Sequence, residues 1–159
     1  MADQLQEVAD RLAVQDTVTR MAVLADRRDW QALTGIFADR VRVDYTALTG
    51  GAPSSVAGAD LVTAWAGALG GYQATQHLVA DHLVELDGDT AVATATFQAT
   101  HYLPNPHGGP LWTLGGTYRW ELVRTQDGWK ISAVAMTPQW AEGNQQLTVL
   151  AARRAATRS

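Results

Sequence analysis

Thr90-Ala91-Val92-Ala93-Thr94-Ala95-Thr96-Phe97-Gln98-Ala99-Thr100-His101-Tyr102-Leu103 alternates with a period of two along almost its whole length. That is the spacing of a strand with one face turned to a core. Ala91, Ala93, Ala95, Phe97, Ala99 and His101 share one face, and Thr94, Thr96, Gln98, Thr100 and Tyr102 take the other, interrupted only by Val92. Small side chains on an inward face leave space rather than fill it. The face predicts a cavity between this strand and whatever covers it, and such cavities are where small ligands bind.

The flanking segments extend the same pattern. Residues 75–86 read as a strand joined to this one by the turn Asp87-Gly88-Asp89, and residues 111–124 and 129–137 as two more around Gln126-Asp127-Gly128. Together they make an antiparallel meander. Upstream, residues 3–28 read as helix, with Leu5, Val8 and Leu12 on one stripe and Val14, Val18, Met21, Ala22 and Ala25 on the next. The stripes are out of register, which predicts a bend or break near Val14. Asp29 is the expected N-cap of a short helix over 30–37. Residues 40–46 read as a strand with Val41, Val43 and Tyr45 on one face, 49–58 as a loop, and 60–69 as a helix with Leu61, Trp65 and Leu69 in line. A last helix is expected over 145–156. The fold class that follows is α+β, with a curved antiparallel sheet and N-terminal helices enclosing a pocket, in a single domain over 1–159.

Composition narrows the function. The chain has 159 residues, 47% hydrophobic and 18% charged, which suits a globular core. A net charge of −4 argues against a general nucleic-acid binder. Arg153, Arg154 and Arg158 make only a small basic tail. The absence of cysteine excludes disulfides, thiolate catalysis and Cys-ligated zinc. No signal peptide and no membrane span are expected, so a cytoplasmic location is the default.

Four polar residues stand out. Asp26 falls at the rim of the stripe formed by Val18 and Ala22, turned partly inward, and a buried carboxylate needs a partner. Tyr45, His77 and His101 occupy inward positions of their strands, so the four are expected to meet in one pocket. A neutral imidazole accepts a proton near physiological pH, and an ionised carboxylate on its other nitrogen fixes the tautomer and stabilises the imidazolium. Asp26 should then lie roughly 2.6–3.2 Å from a ring nitrogen of a histidine that faces it. His82, out of phase with His77, and His107, in a proline-rich loop, read as bystanders. No spacing supports a metal site, and none is expected. Trp112, Tyr118 and Trp120 share one face of 111–124, which suggests an oligomer interface or a surface under the last helix. The opposite face, with Thr113, Gly115 and Thr117, is the expected pocket wall.

Ala25-Asp26-Arg27-Arg28-Asp29-Trp30, Arg42-Val43-Asp44-Tyr45, Thr75-Gln76-His77, His101 and the closing hairpin, Gly116-Thr117-Tyr118 through Asp127-Gly128-Trp129-Lys130, resemble the SnoaL-like branch of the NTF2-like superfamily. Scytalone dehydratase and the lindane dehydrochlorinase belong there. The resemblance implies an NTF2-like cone and a cofactor-independent lyase. It implies His77 as base and as the partner of Asp26, its orienting carboxylate, and His101 and Tyr45 as further catalytic groups that polarise a carbonyl or assist a leaving hydroxyl. Two departures stand out: the dehydratase has a Tyr before its Asp where this chain has Ala25, and an Asn where Thr117 is expected. Phe97, Thr117, Ala25 and Trp65 are the expected substrate contacts. The expected ligand is a small, mostly apolar, oxygenated molecule, and the expected assembly a homo-oligomer, dimer or trimer. An isomerase or cyclase with the same pair, or a non-catalytic small-molecule-binding module, remain open at this point.

Overall fold

A computed structural model describes residues 1–157, so Arg158 of the basic tail lies outside the described residues. In chain order the elements are α1 (Ala2–Arg27), α2 (Trp30–Thr34), β1 (Phe37–Asp44), α3 (Thr46–Thr49), β2 (Ser54–Ala57), α4 (Gly58–Leu69), β3 (Ala74–Asp87), β4 (Thr90–Tyr102), β5 (Leu111–Thr125), β6 (Gly128–Gly143) and α5 (Leu147–Ala156). The strands form one open sheet in the order β2-β1-β6-β5-β4-β3. β3 to β6 are the expected antiparallel meander, and β1 returns to lie parallel to β6. Bulges at Ala80/Leu83, Gly115/Gly116 and Glu121/Leu122 interrupt the ladders, and bulges bend and twist the strands that carry them. The sheet is therefore curved, and α1 and α4 lie in its hollow.

α1 runs without a break, so the expected kink near Val14 does not occur. Its buried face is Asp10, Val14, Val18, Met21, Ala22 and Ala25, a single straight stripe. Leu12 sits about 200° round the axis from Val14 in a continuous helix. Leu5, Val8 and Leu12 accordingly face solvent, at 68%, 55% and 61% exposed. Apolar spacing alone suggested two stripes because the residue that continues the buried stripe toward the N-terminus is a charged one, Asp10.

Asp10 is buried because Arg124 meets it. The guanidinium donates to Asp10 through both terminal nitrogens, at 2.7 and 2.8 Å, while its Nε donates to Asp89 at 2.8 Å. Trp129 stacks under the same guanidinium at 4.5 Å, and its Nε1–H donates to Asp10. Arg124 holds the Asp10 carboxyl well below the usual carboxylate range. This cluster fastens the start of α1 to the β5–β6 hairpin.

Two elements in the segment read as loop become ordered. Asp29 caps α2 as expected, accepting from the Ala32 N–H at 3.1 Å. But β1 ends at Asp44, Thr46–Thr49 turn into α3, and Ser54–Ala57 add an edge strand to β1. Ser-Ser-Val-Ala has little strand preference of its own; pairing with β1 supplies it.

Asp10→Asn should lower the melting temperature by about 5 °C or more, because it leaves Arg124 without its charged partner in a buried setting. Asp16→Asn, which breaks only the exposed pair with Arg20, should leave it nearly unchanged. Parallel thermal unfolding of the two variants checks this.

Candidate active site

The cavity has a volume of about 350 Å³. Met21, Ala22 and Ala25 border it from α1, Trp65 and Leu69 from α4, Phe97, Ala99 and His101 from β4, and Trp112, Leu114 and Tyr118 from β5. Ala91, Ala93, Ala95 and Ala99 are all buried on the face read as inward; the first three pack into the core, and Ala99 borders the cavity. Its lining carries no Lys, Arg, Asp or Glu. Its polar groups are imidazoles, phenols and threonines. Leu48 of α3 and Thr148 and Ala152 of α5 stand at its rim.

Asp26 ends α1 beside β3, and β3 satisfies its carboxylate. Oδ1 accepts from His77 Nδ1 at 2.6 Å and from the Thr75 hydroxyl at 2.8 Å; Oδ2 accepts from the His77 backbone N–H at 2.7 Å. Burial opposes ionisation of Asp26 most strongly. The donors from His77 and Thr75 outweigh it, and the carboxyl sits below its ordinary value. An ionised carboxylate accepts only, so His77 Nδ1 carries the proton and Nε2 keeps its lone pair. Thr75 was not singled out in the sequence. Its signal was there: two residues before His77, it shares that residue's side of the strand.

His101 is 4% exposed, and its ring meets that of His77 edge to face at 5.5 Å. Nδ1 lies 3.2 Å from the Trp112 carbonyl, which can only accept, so Nδ1 is the donor and Nε2 again bears the lone pair. Burial, and then the nearby His77, push its pKa down to about 4. The group is therefore neutral at physiological pH and, from Nε2, an acceptor. Of the two roles expected of it, assisting a leaving hydroxyl suits an acceptor, whereas polarising a carbonyl would need a proton on Nε2.

Tyr45 reaches the cavity although it follows the end of β1, and it stacks on Trp65 at 6.3 Å. Its hydroxyl and that of Tyr118 interact, and the Tyr118 ring stacks in turn on Trp120. Burial raises both phenols, Tyr118 to about 12.

Of the expected site residues, Tyr45, His77, His101, Phe97, Ala25 and Trp65 border the cavity, and Asp26 stands behind His77. Thr117 does not. It pairs with Thr96, whose hydroxyl bonds Asp81 on the outer side of the sheet, and paired residues project to the same side. The face of β5 carrying Trp112, Tyr118 and Trp120 is the cavity wall, not an outer surface, and the chosen polar face is the outer one. His82 is also corrected in phase. Asp81 adopts a left-handed φ of 57° at the bulge, which returns His82 to the inner side, where Nε2 lies 3.3 Å from the Thr19 hydroxyl rather than in the cavity. Among the described residues no three His, Asp or Glu side chains are grouped to hold a metal ion. No described helix is long and apolar enough to cross a membrane.

Fold and site define an α+β cone whose apolar cavity holds a carboxylate-bound histidine. Residues 6–135 match the SnoaL-like domain model, and the chain belongs to that family, with the NTF2-like fold. The Kfla4162 protein of Kribbella flavida is 31% identical, over 91% of this chain and 98% of that one, with a TM-score of 0.83. A type 2 hexachlorocyclohexane dehydrochlorinase is 18% identical over 87% and 91% of the two chains, TM-score 0.74. A provisionally assigned scytalone dehydratase from Novosphingobium aromaticivorans is 16% identical over 91% and 93%, TM-score 0.75. At those last two identities the likeness is one of fold. No curated protein matches the chain.

The site makes stability depend on pH. His101 takes its proton near 6.5 when unfolded but only near 4 when folded, so the unfolded chain binds protons first between those values. Stability should fall as pH drops through that window, by about 3 kcal/mol from this residue. Asp26 acts in the same sense lower down, its stabilisation being lost as pH falls through its depressed folded value. Urea unfolding at pH 7 to 4 should show a shallower decline in His101→Gln than in the wild type.

Proposed function

We propose that this protein is a cofactor-independent lyase that removes water from a small, neutral, oxygenated cyclic molecule, with His77 as the base and Asp26 as its orienting group. The observation that carries the reading is the 2.6 Å bond from Asp26 to His77 Nδ1, which leaves the other ring nitrogen bare at the edge of an apolar cavity. A bare Nε2 is a proton acceptor, and the carboxylate behind it stabilises the imidazolium that forms.

The chemistry then runs as a β-elimination. His77 Nε2 takes a proton from the carbon beside a carbonyl. The electrons move toward the carbonyl oxygen, which accepts a hydrogen bond from Tyr118, with Tyr45 beside it. The C–O bond at the next carbon breaks, a C=C bond forms, and the imidazolium returns its proton to the departing oxygen. Water leaves and His77 is neutral again. Phe97, Trp65 and Ala25 pack the apolar body of the substrate. The lack of cationic side chains in the lining favours a neutral molecule over a carboxylate or phosphate.

The test is turnover of β-hydroxy cyclic ketones, of which 3-hydroxy-1-tetralone is a simple case: loss of water gives 1-naphthol, which is read by its fluorescence. Asp26→Asn should lower the rate by at least ~10²-fold, and His77→Gln by as much or more. The double variant should be little worse than the poorer single one, because the two act as a unit. Thr75→Val, which removes one of three donors to Asp26, should cost roughly tenfold. Near-full rates in both Asp26→Asn and His77→Gln would sink the mechanism.

A further inference from the structure

Tyr72 lies between α4 and β3 and borders the cavity. Its side chain is buried, and its hydroxyl is the one buried side-chain polar atom without a hydrogen-bond partner among the described residues. An unpaired buried hydroxyl destabilises a fold, and one in a native protein needs a reason. Nothing about the residue is loose. Its carbonyl accepts from the Arg28 guanidinium at 2.7 Å, its N–H donates to the Leu69 carbonyl, and Arg28 itself is held in a left-handed conformation at the end of α1. Gly71 before it presses on α5 so closely that a Cβ would come within 1.7 Å of the Ala151 carbonyl oxygen. The backbone is pinned from α1, α4 and α5, and the ring is set 4.9 Å from that of His101.

His101 has the complementary deficit. Its Nδ1 is engaged by the Trp112 carbonyl, so Nε2 is an acceptor with no proton to give. An unpaired donor thus stands beside a ring that offers an acceptor to the cavity, and Tyr72 Oη bonds neither it nor any other group. A hydroxyl group fits this pair, since it accepts from one and donates to the other. A carbonyl would satisfy only Tyr72. A carboxylate would set its charge against the His101 lone pair with no cation in the lining to hold it.

We propose that Tyr72 Oη and His101 Nε2 form a hydroxyl-binding subsite of the cavity, with Tyr72 as the residue that selects for a hydroxylated ligand. The identity of that hydroxyl as the leaving group rests on the lyase reading; the binding itself does not. In that reaction Tyr72 holds the departing oxygen while His77 attacks the neighbouring C–H bond.

Two probes test it, 1-tetralone and 3-hydroxy-1-tetralone, titrated by quenching of the cavity tryptophans in a His77→Gln background, where turnover is at least ~10²-fold slower. The hydroxy ketone should bind about tenfold more tightly than the ketone, and adding Tyr72→Phe should reduce that preference to within about twofold while leaving the ketone's Kd unchanged. In the empty protein Tyr72→Phe should raise the melting temperature, since it removes an unpaired buried group. A preference that survives Tyr72→Phe, a preference absent from the start, or a lowered melting temperature would each overturn the subsite. Separately, if the wild type binds the hydroxy ketone through Tyr72 but releases no 1-naphthol, the lyase reading fails and the subsite stands. Release of 1-naphthol with a preference indifferent to Tyr72 gives the reverse.

Discussion

Asp26 joins the end of α1 to β3 through three hydrogen bonds, one of them to a main-chain N–H. A carboxylate at that depth is tolerated only when its oxygens are occupied, and here a single strand supplies all three donors. The backbone bond sets how far along β3 the helix end can sit. The ring bond sets the tautomer of His77, and the threonine bond leaves Oδ1 with two donors. Helix position and proton location are therefore one constraint. Loss of the carboxylate would disturb both, which is why a shape-preserving amide is the informative replacement.

Around that contact the cavity divides its polar chemistry by residue type. Both imidazoles have their Nδ1 protons engaged, one by a carboxylate and one by a main-chain carbonyl, and so both present lone pairs. The phenols supply the donors. Phe97 and Ala99 of β4 and the rings of β5 provide apolar surface between them. Such a site recognises a neutral molecule through paired donors and acceptors rather than through charge, and low polarity strengthens each of those bonds.

The ion cluster at the other end of α1 does a different job. Arg124 and Trp129 fill the buried Asp10 carboxylate, and Arg124 also reaches the exposed Asp89. Near the cavity the reverse holds, with an orphan hydroxyl on Tyr72 and lone pairs on two histidines. Stability is concentrated where the helix begins, and unsatisfied chemistry where it ends. That division agrees with the pH behaviour of His101, whose burial weakens the fold in acid.

The meander, the inward face of β4, the Asp29 cap and the meeting of Asp26 with His77 were legible in the sequence. The first three depend on a short-range period or a local cap, and periods of two and of 3.6 record which side of an element is buried, whereas the pairing of Asp26 with His77 came from the family resemblance. What lay beyond reach depended on neighbours. β5 has an aromatic face and a small polar face, and either could line a cavity. Only its register with β4, placing Thr117 opposite Thr96, decided that Tyr118 faces in and Thr117 out. The bulge at Asp81 shifted the phase of β3 after His77, which no uniform alternation could foresee. Likewise, Asp10 belonged to the buried stripe of α1 only because Arg124, more than a hundred residues later, was there to neutralise it. Local pattern determined the elements and their faces. Pairing between distant segments decided which polar groups met, because hydrogen bonds and charge compensation depend on distance in space and not along the chain.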